Sequence, residues 1–293
     1  MAIVQLEVRN LQRPCNFLMD LDIARSNEKN LISHLFRELF YEPDTSRLFT
    51  AVLREGDAVI DVGANCGYFT MLAAALVGPS GRVLSFEPDP ENCARLRNNV
   101  ALNGFENVTI VQQPALDTAR PISFFINSDD SGGDALWDPA LAFGKTEPSA
   151  KLELSGTTID DEATRHGMTS VKLIKTDIEG ADHLALQGAR RLLADAGVPF
   201  IISELHEFAL ARMGSGQEQF RAFMARHGYE CFTVKFDGSM PHMVPAGIRI
   251  TAQYVCNMLF SRPERLPAFW PSYEQVPGDL YGLPGGIVAT LLS

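Results

Sequence analysis

Acidic residues stand at the ends of several strand-like runs in this chain, each beside glycines or a histidine. Asp61 and Glu87 bracket the loop Gly63-Ala64-Asn65-Cys66-Gly67, Asp177 and Glu179 fall in "IKTDIEG", and Glu204 and His206 fall in "IISELHE". A tight glycine loop between an apolar strand and an apolar helix is a device for holding a nucleotide, and a carboxylate one strand later can accept both hydroxyls of a ribose. Pyrophosphate-binding loops space their glycines G-x-G-x-x-G, so that the second lets backbone approach the phosphates. Asn65 occupies that second position here. An acidic residue just before the glycines also suits a cation better than a diphosphate. S-adenosyl-L-methionine, a nucleoside with a sulfonium and an ammonium and no phosphate, meets both conditions, and S-adenosyl-L-homocysteine would be its product. Asp61, Gly63, Ala64, Asn65, Gly67, Glu87, the adjoining Pro88 and Asp177 are the expected contacts.

Methyl transfer to a hydroxyl needs in-line positioning and removal of a proton. In open α/β sheets the reacting groups lie at the carboxyl ends of the parallel strands, which points to Asp177 and Glu179 and to Glu204 and His206, with Asp177, Glu204 and His206 as the catalytic candidates. His206 is the natural general base, because imidazole titrates near neutrality. Asp177 and Glu204 could instead converge on a divalent cation, an alternative rather than the expected cofactor. Asp129, Asp130, Asp134 and Asp138, around Trp137, would line a substrate entrance or be a solvated loop. His183 reads as a surface residue, and Arg95 and Arg97 as the exposed face of a helix.

The elements that must position these groups follow from periodicity. From residue 57 to about 260, β-rich runs alternate with helical segments, which predicts an α/β fold with a mostly parallel sheet of about seven strands and helices on both faces. Asp89 is placed to cap a helix that has Pro90 at its first position and Gly104 at its stop. Residues 119–160 loosen into hairpin strands around a polar insertion. Leu31, Leu35 and Leu39 recur at helical spacing, so residues 1–50 read as a helical extension. Residues 262–293, rich in Pro and Gly, read as an irregular tail. Either end could mediate a homodimer.

"VIDVGANCGYFT", "FEPDP", "LNG", "TTIDD", "IKTDIEGAD", "LQGA" and "IISELHE" occur in this order over about residues 56–208. In these motifs the chain resembles the FkbM-type S-adenosylmethionine-dependent methyltransferases. The resemblance implies a seven-stranded Rossmann-like sheet and O-methylation of a secondary metabolite, sugar or lipid-like small molecule. It also implies that the Gly63–Gly67 loop contacts the methionine part, Glu87 the ribose and the turn Ala115-Leu116-Asp117 the adenine. Asp182 stands where the family more often has glutamate, and Glu162 where leucine is common. N- or C-methylation on the same fold, a NAD-dependent oxidoreductase and a non-catalytic scaffold remain as alternatives.

Composition narrows the field further. The formal charge of −11 argues against broad nucleic-acid binding. Five scattered cysteines without a C-x-x-C pair suggest neither a disulfide framework nor structural zinc, so a reducing cytoplasm is the expected setting. No apolar run approaches the length of a membrane span.

Overall fold

The computed structural model describes residues 1–8, 15–38, 41–194, 197–234, 240–252, 255–266 and 287–292. Leu39 and most of the proline-rich tail, residues 267–286, lie outside the described residues. The chain opens with strands β1 (Ala2–Val8) and β2 (Cys15–Leu21), then helices α1 (Ser26–Glu38) and α2 (Pro43–Val52). The Rossmann-like part begins with β3 (Ala58–Val62), α3 (Tyr68–Val77), β4 (Arg82–Phe86), α4 (Pro90–Asn103) and β5 (Val108–Val111). The insertion holds β6 (Pro121–Ile126), α5 (Pro139–Ala142) and β7 (Ala150–Ser155). Next come α6 (Ile159–Arg165), β8 (Leu173–Thr176), α7 (Asp182–Gln187), α8 (Arg190–Ala194), β9 (Phe200–Leu205), α9 (Glu207–Arg212) and α10 (Gln217–Arg226). Strands β10 (Glu230–Thr233), β11 (His242–Met243), β12 (Cys256–Ser261) and β13 (Ile287–Leu292) complete the described elements.

The central sheet has the order β11-β10-β12-β9-β8-β3-β4-β5, the expected seven strands plus the two-residue β11 at one edge. Strands β3, β4, β5, β8 and β9 are parallel, and β12 runs antiparallel to β9. Successive residues of a strand face opposite sides, so Val59 joins the core cluster on one face and Ile60 the cluster on the other. Both faces are covered, which is why these strands are nearly continuous apolar runs. The caps expected of α4 are present: Asp89 accepts from the backbone N–H groups of Glu91 and Asn92, and Gly104 takes a left-handed φ of 62°. The insertion is the expected hairpin, β6 against β7.

The ends of the chain differ from the sequence reading. Residues 26–52 are largely helical as expected, but β1 and β2 form a hairpin, and β13 from the tail pairs with β1. The alternation Val4, Leu6, Val8 buries one face of β1, a period-2 signal that the helical stripe farther on overshadowed. Strand β2 docks on α4 through side chains. Asn103 Oδ1 accepts from Leu18 N (2.7 Å) and Asn99 Oδ1 from Asp20 N (2.8 Å), while Asn99 Nδ2 donates to the Cys66 carbonyl (2.8 Å). These asparagines satisfy backbone groups of both β2 and the glycine loop. Arg95 belongs to the same junction: it is largely buried and pairs with Glu28 at 2.8 Å and Asp20 at 3.7 Å, so it is no exposed helix face. Arg97 does point to solvent. Leu31 and Leu35 are buried in the core, so the stripe on α1 finds its partner within the chain. No helix among the described residues is long and apolar enough to cross a membrane.

Candidate active site

The sheet order reverses between β3 and β8, and at their carboxyl ends a cleft of about 640 Å³ opens. Gly63, Ala64, Asn65, Glu87, Pro88, Ala115, Asp177, Glu204 and His206 line it, as expected. Asn65 takes a left-handed backbone (φ 51°), which asparagine tolerates better than most residues. Its Oδ1 accepts from Cys66 N and from Asn27 Nδ2 on α1, both at 2.7 Å. Its backbone N–H donates to Glu87 Oε2 (2.7 Å), and Asp89 N donates to Glu87 Oε1 (3.0 Å). The carboxylate is thereby fixed at the cleft wall. Burial pushes the Glu87 carboxyl up to about 7 against these two hydrogen bonds.

Four expected cofactor contacts lie elsewhere. Asp61 is fully buried beneath the cleft: it is the register partner of Lys175 across β3 and β8, lies 3.8 Å from its ammonium and accepts from Thr70 Oγ1 at 2.6 Å. Burial outweighs that ammonium and raises the Asp61 carboxyl. Gly67 caps α3 at φ 103°, where a Cβ would meet Leu96 Cδ1 at 2.5 Å, so it serves helix packing. Leu116 is buried with its N–H on the Thr157 carbonyl (2.8 Å), and Asp117 pairs with Arg120 outside the cleft. Of the adenine turn, only Ala115 faces the cleft, beside Pro114.

The far wall is acidic. His206 Nδ1–H donates to Glu179 Oε2 (2.8 Å), and His206 Nε2 makes no hydrogen bond among the described residues. That hydrogen bond, opposed by burial and aided by the charges of Glu179, Asp182 and Asp177, raises the His206 pKa. Glu204 Oε2 is buried without a hydrogen-bond partner among the described residues. Burial, reinforced by Asp177 and Glu179, holds its carboxyl well above the usual range. Asp177 pairs with Lys175 Nζ at 3.1 Å. The alternative metal pair of Asp177 and Glu204 is therefore not the grouping the fold makes, because Lys175 occupies Asp177. The ligand atoms of Glu179, Glu204 and His206 instead lie within 4.8 Å of one another.

Sequence reasoning passed over Glu42 and did not pair Glu179 with His206. Both line the cleft with left-handed backbones, at φ 43° and 51°. With Asn65 they are the non-glycine residues of positive φ among the described residues, and all three face the cleft, the distribution expected of strain held at a functional site. Burial, reinforced by Asp177, pushes the Glu42 carboxyl up to about 8. Of the acidic loop, Asp130 and Asp134 reach the cleft. Asp129 pairs with Lys145, and Asp138 caps α5. His183 proves to be a buried residue stacked on Phe220 (5.2 Å) with Ser215 on Nδ1 (2.6 Å), neither surface nor ligand.

A mostly parallel sheet in this order, with a glycine loop after its first strand and a carboxylate after its second, defines the class I methyltransferase fold. The chain belongs to the FkbM methyltransferase domain family, whose model matches residues 61–231. It is 28% identical over 201 residues to the 31-O-demethyl-FK506 methyltransferase FkbM of Streptomyces tacrolimicus, an alignment covering 59% of this chain and 74% of that one. It is 44% identical over 59 residues to protein-L-isoaspartate O-methyltransferase 2 of Archaeoglobus fulgidus, covering 20% of this chain and 27% of the relative. The chain thus spans about a quarter of the length of these isoaspartate relatives. Among solved structures, Aeropyrum pernix fibrillarin with bound S-adenosyl-L-methionine aligns over 79% of this chain and 74% of its own at 14% identity, with a TM-score of 0.40.

Proposed function

We propose that the chain transfers a methyl group from S-adenosyl-L-methionine to a hydroxyl of a small molecule, with His206 taking the proton. The observation that carries this reading is the hydrogen-bonded pair of His206 and Glu179 facing, across one cleft, the loop that Asn65 and Glu87 close. The cleft suits the cofactor on three counts. Glu87 is anchored by two backbone N–H groups and retains acceptor capacity for ribose hydroxyls. The loop has no diphosphate cradle. Glu42, Asp177, Glu179 and Glu204 outnumber Lys175 along the wall, and a cation bound there would favour their ionised forms. When bound, the cofactor supplies a carbon activated by its sulfonium. Glu179 fixes the His206 tautomer, so Nε2 is the nitrogen that accepts the acceptor's proton.

The test is transfer of radiolabelled methyl from S-adenosyl-L-methionine to a panel of small alcohols, phenols and amines. Oxygen acceptors are expected to take label, and His206→Ala to slow transfer by ~10²- to 10⁴-fold while a chelator changes nothing. Label on nitrogen or carbon alone would move the reading to the alternative acceptors. A second reading follows from the closeness of Glu179, Glu204 and His206, which could hold a divalent cation. Turnover stopped by chelator and restored by magnesium would establish it in place of the base.

A further inference from the structure

Beside His206 the cleft runs from its acidic wall onto an aromatic shelf. The rings of Phe143, in the insertion, and Phe208, on α9, stack with centroids 5.6 Å apart, and Trp137 meets Phe208 edge-on at 5.8 Å. Phe143 is 65% exposed and Phe208 40% exposed, and Leu141 extends the apolar surface beyond them. Trp137 and Phe143 line the cleft itself. The shelf is also tied to the proposed catalytic pair. Trp137 Nε1–H donates to the Glu179 carbonyl (2.8 Å), and the Phe208 ring centre lies 6.4 Å from that of His206. Exposed aromatic faces joined to a cleft of this kind mark a surface meant to be covered.

We propose that this shelf is the acceptor subsite, and that the acceptor is an uncharged molecule whose flat apolar face stacks on the exposed side of Phe143, which Phe208 backs, with its hydroxyl directed toward His206. The proposal rests on the methyl-transfer reading above and names its substrate class. Phe143 supplies the flat surface and the Phe208 ring stacked beneath holds it in place, since aromatic rings associate by offset or edge contacts with other flat apolar faces. Charge is selected by the wall beside it. Lys175 is the only lysine or arginine lining the cleft among the described residues and Asp177 pairs with it at 3.1 Å, so a carboxylate or phosphate on the acceptor would meet the carboxyl groups of Asp134, Glu179 and Glu204 and no unpaired ammonium or guanidinium. Arg212 is exposed and stacks on Phe208 (4.9 Å to the ring centre) without lining the cleft, so it buttresses the ring and offers no counter-charge inside.

The experiment uses the full chain with Trp270→Phe, so that Trp137 alone reports by fluorescence, loaded with S-adenosyl-L-homocysteine. The probes are 2-(2-naphthyl)ethanol and its anionic counterpart 2-naphthaleneacetic acid. The alcohol should quench Trp137 saturably and bind at least tenfold tighter than the acid. Phe143→Ser and Phe208→Ser should each weaken the alcohol at least tenfold while leaving S-adenosyl-L-homocysteine affinity within about twofold, which also establishes that the variants fold. Equal binding of alcohol and acid, or alcohol binding unmoved by both substitutions with normal S-adenosyl-L-homocysteine affinity, would overturn the acceptor subsite alone. Failure of the unsubstituted chain to bind S-adenosyl-L-homocysteine would overturn the methyl-transfer reading and this proposal with it.

Discussion

Glu179 holds a left-handed backbone at a position where glycine would be relaxed, a conformation that costs ~1–3 kcal/mol in a non-glycine residue. Its carboxylate has a use that justifies the cost: it accepts from His206 Nδ1–H and raises the imidazole pKa. Because the neutral ring is the form that accepts a proton, transfer should rise with pH through an inflection above the ordinary histidine value near 6.5. Glu179→Gln keeps the shape and removes the charge. The inflection in single-turnover rate against pH should therefore move to lower pH in that variant, and an inflection that stays in place would remove Glu179 from the pair. Glu87 should act in the same direction. Its buried carboxyl sits at about 7, and only the ionised form offers all its lone pairs to ribose hydroxyls. S-adenosyl-L-homocysteine affinity should therefore rise as pH passes upward through 7, and Glu87→Gln should flatten that rise.

The elements around these residues were legible to different degrees. Strand–helix alternation, the Asp89 cap, the Gly104 stop and the insertion hairpin follow from local chemistry, and the fold obeys it. Asp61 was misjudged because its role depends on register: β3 and β8 are far apart in sequence, and only their parallel pairing sets Asp61 beside Lys175. The N-terminal hairpin was missed for a related reason, since β1 is completed by β13 from the other end of the chain. Glu42 could not be read at all, and Glu179 only by its place at a strand end, because a positive φ at glutamate is imposed by tertiary packing and carries no compositional mark. Gly63 lines the cleft, and its missing side chain answers to a neighbour at the end of β8. A Cβ there would lie 2.0 Å from the Asp177 carbonyl oxygen, so the glycine lets the loop cross the end of β8. With φ at 83° as well, Gly63→Val should destabilise the fold by at least ~2 kcal/mol and abolish cofactor binding together. Thermal unfolding and calorimetry on the same variant would check this, and wild-type stability would contradict it.

Across the whole molecule, acidity is concentrated where the ligand is proposed to sit. Burial raises Glu42 and Asp134 to about 8 and Glu87 and Asp182 to about 7, all far above unfolded carboxyls near ~4. Between about pH 5 and 8 the folded chain keeps protons that the unfolded chain has released, so ligand-free stability should be greatest at the acid end and fall as pH rises. The raised His206 pKa has the same sign, its contribution being lost as pH rises through the folded value. Unfolding temperatures without ligand should be lower at about pH 8 than at about pH 5.5, and the reverse order would refute the buried acidic cluster. The cofactor assignment itself is decided by calorimetric titration of S-adenosyl-L-homocysteine and NAD into the chain and its Glu87→Ala variant at about pH 8. S-adenosyl-L-homocysteine should bind one site and NAD should not. The substitution should weaken binding at least ~10-fold, through loss of two hydrogen bonds to a charged acceptor at ~1.5–3 kcal/mol each. Unchanged S-adenosyl-L-homocysteine affinity in Glu87→Ala, or NAD binding as tightly, would contradict it.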